Sequence, residues 1–223
     1  MKRLVMFDMD GVLFDSMPYH AKSWHRAMAD FGLDLPEPEA FLHEGRTGSG
    51  TINIVTQRQF GRPADEDECK RIYARKSQYF NEFPKPERMP GALEAVQAVR
   101  TSGITPIIVT GSGQQSLLER IEQNFPKLFK HEWMVCAKDV KYGKPNPEPY
   151  LMGLKKAGVG ADEAIVIENA PLGVEAGHAA GCYVVAVNTG PLPDQVLIDS
   201  GADLLYHSMT ELSQNMERLL NTL

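Results

Sequence analysis

The chain of 223 residues is poor in cysteine, with Cys69, Cys136 and Cys182 scattered along it and no CxxC pair. An odd, dispersed set fits reduced thiols in a cytoplasm and excludes a disulfide framework or a cysteine zinc site. It has no long apolar run: the run after Lys2 and Arg3 is residues 4–7, far short of a signal-peptide core, and nothing approaches the roughly 20 apolar residues of a membrane span. It lacks a basic excess; the net charge is −6, which argues against nucleic-acid or anionic-membrane partners. The same charge repels a phosphorylated substrate at long range, so any phosphate site must be built locally from Lys, backbone N–H groups and metal. Repeats and low-complexity tracts are also missing. What remains is 43% hydrophobic and 23% charged, the make-up of an ordinary globular protein.

Short β-branched runs occur at residues 4–7, 104–109, 134–136, 164–167 and 183–187. They predict strands buried on both faces. Helical patterns at residues 91–100, 114–124, 148–156 and 173–180 separate them. Such alternation predicts an α/β domain with a parallel sheet. Residues 16–87 break the rule. They contain no strand-like run and predict helices at 18–31, 38–43, 49–60 and 65–83. The expected organisation is an α/β core at 1–15 and 88–223 with a helical-bundle cap at 16–87. The Pro-rich stretch 83–91 marks the return to the core. Because open α/β sheets work at the carboxyl ends of their strands, an insert after strand one lies over the active edge.

Four segments near those ends carry chemistry. Asp8 and Asp10 follow the first strand, with Gly11 allowing a tight turn. Two close carboxylates repel and call for a cation, and a hard ion such as Mg2+ prefers oxygen ligands; solvated acids at a strand end are the alternative. Thr110-Gly111-Ser112-Gly113 offers a hydroxyl, glycines and a helix start, a phosphate cradle or an ordinary loop. Lys144 stands between Gly143 and Pro145-Asn146-Pro147, where it could neutralise Asp8 and a transferring phosphoryl group. Glu168-Asn169 ends the 164–167 strand. Asn169 could give a metal its amide oxygen, cap the following helix, or both. Together these are the parts of a phosphoryl-transfer site.

DMDGVLFDS (8–16), VTGSG (109–113), GKPNPEPY (143–150) and VIENAPLGVEAGHAAG (166–181) resemble the four signature motifs of the haloacid dehalogenase superfamily. The insert resembles the cap of its β-phosphoglucomutase-like branch. The resemblance implies a Rossmannoid core in which Asp8 attacks phosphorus to form an aspartyl-phosphate. Asp10, held protonated by a raised pKa, would give a proton to the leaving oxygen and then activate water. Thr110 and Lys144 would hold the phosphoryl oxygens, while Asp8, the Asp10 carbonyl and Asn169 bind Mg2+ and Glu168 orients Lys144 or a metal-bound water. Dehalogenating members lack the second aspartate, so Asp10 indicates phosphate chemistry.

Two departures bear on substrate. Many relatives carry Glu-Asp where this chain has Glu168-Asn169. The cap loop 43–48, HEGRTG, carries Glu44 where β-phosphoglucomutases have a lysine and Gly48 where they have an arginine. An acid there repels a sugar bisphosphate's distal phosphate, with Arg46 compensating in part. His20, Trp24 and Lys76 stand where the mutases carry like residues. The loop, with VTGSGQ (Gly111, Ser112 and Gln114 among its residues), ENAPLG and NTGPL, most resembles pyrophosphatase members. That implies a monomer hydrolysing inorganic pyrophosphate, Glu44 and Lys76 closing the site over it. A β-phosphoglucomutase, a sugar-phosphate phosphatase and a non-catalytic binding protein are the alternatives.

Overall fold

A computed structural model describes residues 1–112 and 117–223. Five strands form one parallel sheet: β1 (Leu4–Phe7), β2 (Thr105–Ile108), β3 (Ala164–Glu168), β4 (Tyr183–Val187) and β5 (Leu204–Tyr206), in the order β2-β1-β3-β4-β5. β1 is buried along its whole length. Its alternate residues serve two cores. Val5 and Phe7 pack with Val96, Val99, Leu212 and Met216 on one face; Leu4 and Met6 pack with Tyr150, Leu154 and Val174 on the other. The helices behind these contacts are α5 (Ala92–Thr101) and α10 (Met209–Thr222) on the first face, and α7 (Glu148–Ala157) and α8 (Pro171–Ala179) on the second. Each large aliphatic or aromatic side chain so buried contributes about 1.5–3 kcal/mol. The remaining core helices are α6 (Leu117–Asn124) and α9 (Asp194–Asp199).

Phe7 is in register with Ile108 on one side and Ile167 on the other. The residues that follow these three therefore emerge together along one sheet edge, where the chain order reverses about β1. That is the crevice open α/β sheets use for ligands.

The segment 134–136, expected as a strand, is not one. Val135 makes a single parallel bridge with Val109. The chain then turns at once, Cys136 N donating to Asp139 Oδ2 at 2.8 Å and Asp139 N to Cys136 O at 2.9 Å. β5 was not foreseen, since three residues carry no readable period. α8 begins at Pro171 rather than 173, with proline in the first turn.

Between β1 and α5 lie α1 (Met17–Asp30), α2 (Glu37–Ala40), a short 3-10 turn (Phe41–His43), α3 (Gly48–Phe60) and α4 (Glu66–Asn81). Thr47 caps α3 by accepting from Gly50 N. Asp65 and Glu68 cap α4 reciprocally. Met28, Leu33, Leu35, Ile52, Val55 and Ile72 form a hydrophobic cluster separate from the two around the sheet. The two chain crossings between helices and sheet run side by side: Asp15 N donates to Glu87 O and Met89 N to Leu13 O, both at 3.0 Å. No helix among the described residues is long and apolar enough to cross a membrane.

Candidate active site

Asp8 leaves β1 with its amide donating to Ile167 O at 2.9 Å, which pins it between the central strands. Its carboxylate pairs with the Lys144 ammonium. Lys144 Nζ also donates to Glu168 Oε1 at 2.5 Å and to Val109 O at 3.2 Å. Lys144 and Glu168 are 2% and 1% exposed, so these charges persist only because they satisfy one another. Tyr150, unflagged in the sequence and fully buried on α7, donates its hydroxyl to Glu168 Oε1 at 2.8 Å. The other Glu168 oxygen accepts from the amides of Asn169 (3.0 Å) and Ala170 (3.2 Å). Glu168 thus holds Lys144 in place.

Burial raises Asp8 to about 7 against the pull of Lys144, with Glu168 and Asp10 adding to the rise. Burial opposes a charge on Lys144 too, but Asp8 and Glu168 keep its proton held well above the usual lysine range.

Asp10 faces the helical side. Its Oδ1 accepts from Ser16 Oγ at 2.6 Å and from His20 Nε2 at 3.3 Å. Lys76 Nζ lies 2.6 Å from His20 Nδ1. An ammonium has no lone pair, so Lys76 donates to Nδ1 and the imidazole is the neutral tautomer with its proton on Nε2. Burial and Lys76 both lower the His20 pKa, in keeping with that state. Burial would raise Asp10, but the His20 and Ser16 donors hold it below its ordinary value. The expectation of a raised Asp10 is therefore corrected: here it is a carboxylate, because the donors Ser16 and His20 outweigh the penalty of burial. Lys76, 5% exposed, is lowered to about 8, by burial first, with Asp10 opposing.

Asn169 does not cap α8, whose N-cap is Ala170 with no side-chain bond. Its Nδ2 donates instead to both oxygens of Glu44, each at 3.0 Å. Its Oδ1 is buried with no hydrogen-bond partner among the described residues. Gly11, at φ 82°, is required beside it, because a side chain there would occupy the Asn169 amide. Burial, then Asp8, raises Glu44 well above the carboxylate range.

One cavity gathers Asp8, Asp10, His20, Glu44, Arg46, Lys76, Thr110 and Gly111, with Trp24 and Tyr73 in its wall. Trp24 lines the cavity together with His20 and Lys76, the cap residues singled out with it in the sequence. Thr110 Oγ1 accepts from Ser112 N at 3.0 Å, which shapes the loop after β2. Ser112 is not part of the cavity wall as described. Gln114 lies outside the described residues. Arg46 Nε and His43 Nδ1 in the cap loop are buried without partners among the described residues. His43, Tyr150 and Ser16 had no sequence signal beyond their place inside motifs already noted. Among the described residues no three His, Cys, Asp or Glu side chains are grouped to hold a metal. A metal here would need the mixed oxygen set of Asp8, the Asp10 carbonyl and Asn169. The unpartnered Asn169 Oδ1 beside carboxylates suits a hard cation.

A family model described as haloacid dehalogenase-like hydrolase matches residues 5–187. Hexitol phosphatase A of Escherichia coli K12 is 32% identical over 209 residues, covering 93% of this chain and 92% of that protein. The phosphorylated carbohydrates phosphatase of Thermotoga maritima is 30% identical over 200 residues, covering 89% and 91%. A solved structure described as "Putative beta-phosphoglucomutase from Bacteroides vulgatus" superposes with a TM-score of 0.97 at 58% identity, covering 100% of this chain and 90% of that one. With a parallel sheet that brings Asp8, Lys144 and Glu168 together, the chain belongs to the haloacid dehalogenase-like hydrolase family, in its β-phosphoglucomutase-like branch.

Proposed function

We propose that the chain hydrolyses inorganic pyrophosphate with Mg2+, through an aspartyl-phosphate on Asp8. The observation that carries this reading is Glu44, a cap-side acid half-buried in the catalytic cavity and bonded to Asn169 at 3.0 Å. Where relatives have a carboxylate in the core at position 169, this chain has an amide, and supplies the acid from the other side. Held well above the carboxylate range in the free site, Glu44 would ionise against a bound cation, so the oxygen charge for a metal–polyanion complex would be complete only when its loop is seated. Once ionised, the same acid would repel a distal sugar phosphate. Asp8, the Asp10 carbonyl and Asn169 Oδ1 would hold Mg2+, which would offset the charge of the phosphoryl oxygens.

Asp8 attacks the nearer phosphorus in line with the bridging oxygen, while Lys144 screens charge on the transferring group and keeps the nucleophile oriented. A sugar alkoxide must be protonated as it leaves, whereas a phosphate leaves as an anion. An ionised Asp10, fixed by Ser16 and His20, is thus a poor acid for a sugar phosphate and needs no proton for pyrophosphate. In the second step it is already the base that takes a proton from water attacking the aspartyl-phosphate. Among the described residues, Lys76 and Arg46 are the cavity's lysine and arginine side chains for the distal phosphoryl group.

We also infer that residues 16–87 act as a cap over a core of 1–15 and 88–223, bending at the paired crossings near Asp15 and Glu87. Their separate hydrophobic cluster supports this division. A second reading, a sugar-phosphate phosphatase or β-phosphoglucomutase, is favoured by the names of the relatives. Phosphate release with Mg2+ should be compared for pyrophosphate, hexitol and hexose phosphates, and β-glucose 1-phosphate, with Asp8→Asn as control. Pyrophosphate is expected to have the highest kcat/KM, and Glu44→Lys to lower it by about 10²-fold or more. A hexose or hexitol phosphate preference that Glu44→Lys leaves unchanged would remove the pyrophosphate reading and keep the Asp8 chemistry.

A further inference from the structure

The loop that carries Glu44 is seated on glycines. Gly45, at φ 81°, lies against the aliphatic stem of Lys144, so that a side chain on it would stand 3.0 Å from Lys144 Cδ. A Cβ on Gly111 would stand 3.2 Å from Gly45 O. One on Gly143 would stand 2.9 Å from Thr47 Cγ2, 3.5 Å from Thr47 N and 3.7 Å from Gly45 O. On the far side of the loop, Phe41 packs against Gly190, where a Cβ would meet its ring at 3.3 Å. The loop therefore lies at close range against glycine backbone on both sides of the seam, with the side chains of Glu44 and Lys144 meeting the site between them.

Neither Gly111 nor Gly143 has a positive φ. Their own conformation accepts any residue, so the turn around Lys144 does not require glycine at 143. What excludes a side chain there is the loop across the seam, and Thr47 most of all. Thr47 is fixed in turn, because its Oγ1 accepts from Gly50 N at 3.2 Å to cap α3. A methyl group on residue 143 cannot be absorbed by rotating a free side chain; the cap loop itself must lift.

We propose that Gly143, with Gly111, is a positioning residue for the reaction. By carrying no side chain it lets the cap loop descend until Glu44 meets Asn169, and Thr47 is the group that reads its size. This rests on the proposed role of the seated loop, but not on which phosphorylated compound is the substrate.

The test is a two-residue rescue. Gly143→Ala, Thr47→Ser and the double variant are assayed with Mg2+ on pyrophosphate and on whichever compound of the panel the wild-type enzyme turns over fastest. Gly143→Ala should keep the wild-type unfolding midpoint and lose about 10–100-fold in kcat/KM, since a displacement near 1 Å costs on that order. Thr47→Ser removes Cγ2 and keeps the capping oxygen. Added to Gly143→Ala, it should recover most of the loss relative to the Thr47→Ser baseline. A merely structural role for Gly143 would show as a lowered unfolding midpoint and no rescue. Wild-type kcat/KM in Gly143→Ala, or a loss that Thr47→Ser does not relieve, would overturn the proposal. Failure of pyrophosphate as substrate, with rescue intact on another phosphate, would count against the pyrophosphate reading alone.

Discussion

Lys144 stands between two buried carboxylates, and that single placement organises the charge of the site. With one cation facing Asp8 and Glu168, the inner site keeps an excess negative charge that a metal can neutralise. Lys76 carries the clearest pH signature. Its folded pKa of about 8 lies below the ordinary lysine value of 10.5 because burial penalises the ammonium. The unfolded chain therefore binds more protons between about pH 8 and 10.5, so this residue's penalty on stability is full below pH 8 and is relieved as pH rises through that window. Function runs the other way, since an anionic substrate loses a cation above pH 8. We expect kcat/KM to fall above pH 8 in wild type, and the limb to move upward in Lys76→Arg. A limb of the same position in Lys76→Met would assign it to another group.

At the scale of elements, β3 and α8 are coupled through a missing side chain. Glu168 at the end of β3 fills the space that a Cβ on Gly173 in α8 would occupy. Gly173→Ala must push Glu168 away from Lys144 and from the amides of Asn169 and Ala170. Overpacking of this kind costs about 1–3 kcal/mol. The urea midpoint should drop accordingly, with a loss of kcat because Lys144 is released; an alanine variant with wild-type midpoint and rate would refute the coupling. The α4 capping box, by contrast, was readable as the acidic run 65–68, because a helix start depends on its own few residues. The 134–136 segment misled because a β-branched residue among apolar neighbours cannot report that Asp139 turns the chain back immediately.

For the whole molecule, the buried apolar side chains of the described residues gather into three hydrophobic clusters, none of which includes the proposed metal ligands. Removing Mg2+ with a chelator should stop turnover and leave the far-ultraviolet circular dichroism unchanged. Adding it should raise the unfolding temperature, because an ion bound only by the folded chain stabilises it by about 2.7 kcal/mol at 100 times its Kd. At this chain length each kcal/mol shifts Tm by about 2–4 °C. Asn169→Ala should lose most of that shift; an equal shift in the variant would place the ion elsewhere.

The sequence alone was enough for the parallel α/β core, the helical insert, and Asp8, Asp10, Thr110, Lys144 and Glu168-Asn169 as groups worth watching. Periodicity and strand-end position are local properties, and a sheet edge collects whatever follows its strands. Tertiary structure decided the rest. Tyr150 and Ser16 are ordinary residues until the fold sets them on Glu168 and Asp10. The donors that hold Asp10 as a carboxylate are Ser16 and His20, ten residues away, and the tautomer of His20 is set by Lys76 from a different helix. Glu44 lies 125 positions from Asn169 in the chain, and only packing of helices over sheet makes them neighbours. Pairing, burial and the room left by a glycine are properties of the assembled chain, since each depends on residues that no local stretch contains.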